Sequence, residues 1–134
     1  MKNRKSCCFT GEAELPEGNE IEIATKLEAT IMKLIKIGVT DFKTSDETGF
    51  AKLAASIITK LKTEYHQINL QIIPLRNQAE HGDSKNYEQR IFEPCHELID
   101  TSRFCIVYIK KYWGFPFYNT MYAIGNRNVE IIYI

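Results

Sequence analysis

The sequence predicts an α/β domain of three layers, with helices on both faces of a mainly parallel, five-stranded sheet. Three observations carry that reading. Five short strand-like runs alternate with four helix-like ones along the 134 residues. Two of those runs, Ile68 to Ile73 and Phe104 to Val107, are nearly continuous in apolar residues, as strands covered on both faces are. The stretches between strands are long enough for right-handed crossover connections, which place helices on a parallel sheet. A chain of this length forms one domain, residues 1–134.

The first strand is expected over Ser6 to Thr10, ending at Gly11. The first helix runs from about Asn19 to Ile37, where Ile23, Ala24, Leu27, Ile31, Leu34 and Ile35 recur at helical spacing. Gly38 supplies its C-terminal stop. The second strand spans Val39 to Thr44. The second helix spans about Thr48 to Tyr65, with Leu53, Ala54, Ile57, Ile58 and Leu61 on one stripe and Asp46 or Thr48 as its cap. A third strand covers Asn69 to Pro74. A third helix, Ser84 to Asp100, contains Pro94, which removes a backbone donor and kinks or splits it. Strands at Arg103 to Ile109 and Val129 to Ile134 flank a short helix over Phe117 to Asn126. The loops Glu12 to Gly18 and Arg76 to Asp83 follow strands, so both are expected at the carboxyl edge of the sheet. That edge is where open parallel sheets bind ligands.

Composition narrows the function. Lysine and arginine number 17, aspartate and glutamate number 17, and the formal charge is zero. No net positive field steers nucleic acid, which argues against nonspecific backbone binding; Lys110-Lys111, flanked by aromatics, is read as a solvated strand end. Cys7, Cys8 and Cys105 fall in strands and act there as small hydrophobes. No CxxC pair occurs, and Cys95-His96 has no neighbours in sequence to complete a metal site, so no metal is expected. No signal peptide or run of about 20 apolar residues is evident, and a reduced, cytoplasmic setting is expected.

Taken in order, several stretches resemble the SLOG superfamily of Rossmann-like proteins. They are Cys7-Cys8-Phe9-Thr10-Gly11 with Leu15-Pro16, Phe42-Lys43-Thr44-Ser45 through Gly49 to Leu53-Ala54-Ala55, Ile99 to Tyr108, and Tyr122-Ala123 to Ile134. The superfamily includes the DprA/Smf DNA-processing proteins and the LOG nucleotide hydrolases, and the YpsA-type branch is the nearest look-alike. The resemblance spans nearly the whole chain and rests on order and spacing. It implies a Rossmann-like sandwich that binds a nucleotide or nucleotide-derived small molecule at the carboxyl edge.

The departures fall on the binding motifs. Glu12-Ala13 stand where the family carries His-Arg, and Ser45, Gly49 and Ala51 stand for two glycines and an aspartate. Arg103 replaces an acid after Ser102, and Gly114-Phe115-Pro116-Phe117 replaces a glycine-rich phosphate turn. Proline removes an amide donor that an anion would use, and a negative Glu12 opposes a phosphate.

The expected ligand-binding set is Thr10, Gly11, Ser45, Thr48, Gly49, Ser102 and Gly114. Thr10 and Gly11 present a hydroxyl and a backbone N–H, or form an ordinary turn. Ser45, Thr48 and Gly49 precede a helix whose free N–H groups suit an anion, or simply cap it. A structural hydrogen bond is the plainer role for Ser102. Gly114 and Asn119 with Thr120 bound the far side of the pocket, or serve the structure only, which is the plainer role. Glu12 and Glu47 are the only candidate acid–base groups, and both are read as solvated loop carboxylates. His66, His81 and His96 are scattered, and only His81 falls in a loop at the ligand edge. No catalytic constellation and no cofactor are expected. Two alternatives stay open: a degenerate member acting through contacts of the aromatic segment Tyr112 to Tyr122, such as homo-oligomerisation, and a nucleotide N-glycosidic hydrolase.

Overall fold

The computed structural model describes residues 6–12, 14–45, 49–73, 96–110, 115–126 and 128–134. Strand β1 (Ser6–Gly11) is buried along its whole length, and the chain then turns into helix α1 (Glu20–Lys36). Strand β2 (Asp41–Ser45), helix α2 (Gly49–Lys62) and strand β3 (Asn69–Ile73) follow. Residues 96–100 are helical and lead into strand β4 (Phe104–Tyr108), helix α3 (Phe115–Gly125) and strand β5 (Glu130–Tyr133).

The five strands form one sheet in the order β3-β2-β1-β4-β5, and every neighbouring pair is parallel. The Rossmann-like α/β sandwich expected from the sequence is therefore observed, with a wholly parallel sheet. Register is set by the pairs Cys7 with Phe42 and Cys8 with Cys105. Successive residues of a strand face opposite sides, and the two cores divide accordingly. Cys7, Phe9, Phe42, Phe104 and Ile106 pack on one face against α1 and α2. Cys8, Cys105 and Val107 pack on the other against Leu98, Ile99 and Ala123 of the 96–100 turn and α3.

The stripe of α1 is the one the periodicity predicts, with Ile23, Leu27, Ile31, Leu34 and Ile35 buried. Its end is a Schellman turn. Gly38 takes φ +106, its N–H donates to the Ile35 carbonyl at 3.1 Å, and that of Val39 donates to Leu34 at 2.9 Å. The left-handed residue explains the glycine, and the buried Val39 closes the motif against the first core.

Three expectations need correcting. Helix α2 ends at Lys62, before Tyr65, and its buried face begins with Phe50 and Ala51, one turn ahead of the Leu53 stripe. Strand β3 is an edge strand, so its apolar run is not covered on both sides and Ile72 remains 49% exposed. The last helix begins two residues before Phe117 and takes Pro116 into its first turn, where a missing N–H costs nothing. The cap of α2, Pro94, and the loop from Arg76 to Asp83 with His81 lie outside the described residues. No described helix is long and apolar enough to cross a membrane.

Candidate functional site

The strand order reverses between β1 and β4, because the chain builds outward through β2 and β3 and then returns to the far side of β1. In such sheets the crevice beyond the strand ends at this switch point is the usual ligand site. Here Glu12 laces it. The Glu12 N–H donates to the Tyr108 carbonyl at 3.0 Å, and its side-chain Oε2 accepts from the Lys110 N–H at 2.6 Å. Its carbonyl accepts from the Phe50 N–H at 3.3 Å, joining the start of α2 to the same point. Glu12 is only 8% exposed. The solvated carboxylate expected from the sequence is thus a buried tie between β1, β4 and α2. Pairing with a strand end 98 positions away decided this, and no local pattern reports it.

Gly11 also has a role other than the expected one. A Cβ at this position would lie 2.3 Å from Cδ2 of Phe50, whose ring is fully buried. The bare backbone admits a phenylalanine ring, where the expected close neighbour was a ligand. Phe50 stacks in turn on Tyr108, with ring centroids 5.7 Å apart and planes inclined by 26°. The α1–α2 face of the switch point is therefore filled with protein.

The Tyr108 hydroxyl is buried there with no hydrogen-bond partner. Burial raises its pKa above the ordinary tyrosine value of 10.0, and the Glu12 carboxylate pushes the same way. The folded state then holds the phenolic proton more tightly than the unfolded state does. Stability is full below pH 10 and falls as pH rises beyond it. Tyr108→Phe is expected to leave stability at pH 7 unchanged or slightly higher, since it deletes an unsatisfied group. It should also flatten the alkaline decline, as read from urea midpoints between pH 8 and 11. An unchanged alkaline slope would contradict this account.

The opposite face keeps its polar groups. Alternation along β1 and β2 turns Thr10 and Ser45 to the α3 side, where they are 9% and 8% exposed. No hydrogen bond joins either hydroxyl to another described residue. Helix α3 starts at this carboxyl edge, packs on β1 and runs back towards the start of β5. Its Asn119 and Thr120 lie one turn before the core residue Ala123, on the same face, and are 3% and 1% exposed. The Thr120 hydroxyl donates to the Pro116 carbonyl at 2.8 Å, whereas the buried Asn119 Oδ1 accepts nothing. Strand alternation and helix phase thus place Thr10, Ser45 and Asn119 on one face of the sheet. The sequence offered Asn119 only as a boundary, because an orphaned acceptor is a tertiary property.

Gly49 opens α2, half-buried, on the way from this edge. Thr48 and Gly114 lie outside the described residues, as do Glu47, Cys95 and Trp113. Ser102 is not brought to the site. It precedes β4 at the opposite, amino edge, fully buried, and its Oγ donates to the Leu98 carbonyl at 2.6 Å. His66 is exposed, and His96 stacks flat on Tyr122 with centroids 3.7 Å apart. No group of three or more potential metal ligands occurs among the described residues. In comparison with known proteins, no family model matches the chain and no curated protein is significantly similar to it.

Proposed function

We propose that this protein binds a nucleotide or nucleotide-derived small molecule at the carboxyl edge of its sheet, on the α3 side of β1 and β2. The observation that supports this reading is the buried Asn119 amide oxygen, which accepts no hydrogen bond, on the same side of the sheet as the Thr10 and Ser45 hydroxyls, which have no hydrogen-bond partner among the described residues. Buried polar groups are ordinarily paired, and a buried acceptor left unpaired is suited to pairing with a ligand. The resemblance to the SLOG superfamily supplies the ligand class. Thermal unfolding against nucleosides, AMP, ADP, ADP-ribose and NAD tests it. A ligand at about 100 times its Kd adds roughly 2.7 kcal/mol, a shift of several degrees. The shift should disappear in the Thr10→Val, Ser45→Ala double variant. No shift with any compound would end the proposal.

A second reading rests on the outer face of α3, a helix with no charged residue, where Tyr118, Met121 and Ile124 are 54%, 50% and 50% exposed. On this reading the helix pairs with a second copy of the chain. The same samples, sedimented at rising concentration, decide it: a dimer that Met121→Glu dissolves supports the reading, and a monomer throughout removes it. The hydrolase alternative finds no support in the position of Glu12, whose carboxylate is occupied by the Lys110 N–H.

A further inference from the structure

We infer that the ligand is held by its uncharged nucleoside part and not by a phosphate. This deepens the reading above and rests on it. The polar groups at the edge differ in what they need. Asn119 Oδ1 is an acceptor, so only a ligand hydroxyl or amine can satisfy it. Threonine and serine hydroxyls, such as Thr10 and Ser45, donate or accept equally well. A ribose diol or a base amino group offers both donors and acceptors to such a set. A phosphate at neutral pH offers acceptors almost exclusively and would leave the Asn119 oxygen unsatisfied, at a cost typical of a buried orphan.

The surroundings point the same way. Glu12 places a carboxylate at the crevice, which repels an anion across a poorly screened, buried distance. The space over Gly11, where backbone could approach a phosphate closely, is filled by Phe50. The first turn of α3 contains Pro116, so one of the N–H groups that could form an anion site there is missing. Each feature removes a means of holding phosphate, and none hinders a neutral sugar or base.

The test compares adenosine, guanosine, cytidine and uridine with their 5′-monophosphates, by calorimetric titration of the full chain. At least one nucleoside is expected to bind at least ten-fold more tightly than its own monophosphate. Asn119→Ala should weaken that nucleoside ten-fold or more. Its melting temperature, measured on the same sample, separates lost binding from lost folding. Thr10→Val provides a second variant at the same edge. A monophosphate that binds more tightly than its nucleoside would overturn this inference and leave the broader proposal standing. Nucleoside binding unaffected by either variant would overturn the placement at Asn119 and Thr10. No binding by any of the eight compounds would overturn this inference, and the broader proposal would fall with it only if ADP, ADP-ribose and NAD also gave no thermal shift.

Discussion

Phe50→Ala is expected to lower stability by about 3–5 kcal/mol, the range for deleting a fully buried phenylalanine ring. The ring fills the space over Gly11 and stacks on Tyr108, so its removal leaves a gap at the junction of α2, β1 and β4. Gly11→Ala should cost about 1–3 kcal/mol in the natural chain, because its new methyl group would overlap Cδ2 and Cγ of that ring at 2.3 and 2.4 Å. In the Phe50→Ala background those two atoms are gone. The contact with Cβ, at 2.6 Å, persists. The double variant should therefore be more stable than the sum of the single losses predicts, by about 1 kcal/mol or more, but not fully rescued. Urea unfolding of the four proteins gives the cycle. Strict additivity would mean that something other than Phe50 demands glycine at position 11.

This pair also shows where the sequence was legible. Strand β4 could be read directly, since a near-continuous apolar run such as Phe104 to Val107 marks a strand buried on both faces. The α1 stripe and its glycine stop were equally plain, because both are local. Gly11 stood out too, but a glycine says only that a side chain is excluded. What excludes it is Phe50, on another element and 39 positions on, which lies a turn outside the periodic stripe used to find α2. Glu12 illustrates the same limit more sharply. Loop carboxylates are usually solvated, and its burial depends on pairing with the end of β4. The candidate site divides along this line: Thr10 and Ser45 follow from strand alternation, whereas the orphaned oxygen of Asn119 and the displacement of Ser102 to the amino edge follow from topology.

Asp100→Ala is expected to cost about 2–3 kcal/mol, a large effect for a residue that is not fully buried. Its carboxylate accepts from the Tyr122 hydroxyl on both oxygens at 2.8 Å and from Asn126 Nδ2 at 2.8 Å. Hydrogen bonds to a charged group are worth about 1.5–3 kcal/mol each when the geometry is good. The discount for partial exposure brings the total down to the range given. The cluster ties the 96–100 turn to the last part of α3, beside the His96–Tyr122 stack and the second core. Replacing either partner should release the same constraint, so Tyr122→Phe and Asp100→Ala together should cost clearly less than their sum. The tyrosine provides an independent check. The hydrogen bond to Asp100 raises its pKa above 10.0, with burial and the carboxylate's charge adding to the effect. The folded state again holds the proton more tightly, so this contribution is complete below pH 10 and is lost above it. Asp100→Ala should therefore reduce the alkaline loss of stability as well as the stability itself. A variant that keeps the full alkaline slope would show that the Tyr122–Asp100 bond is not what fixes α3 to the turn.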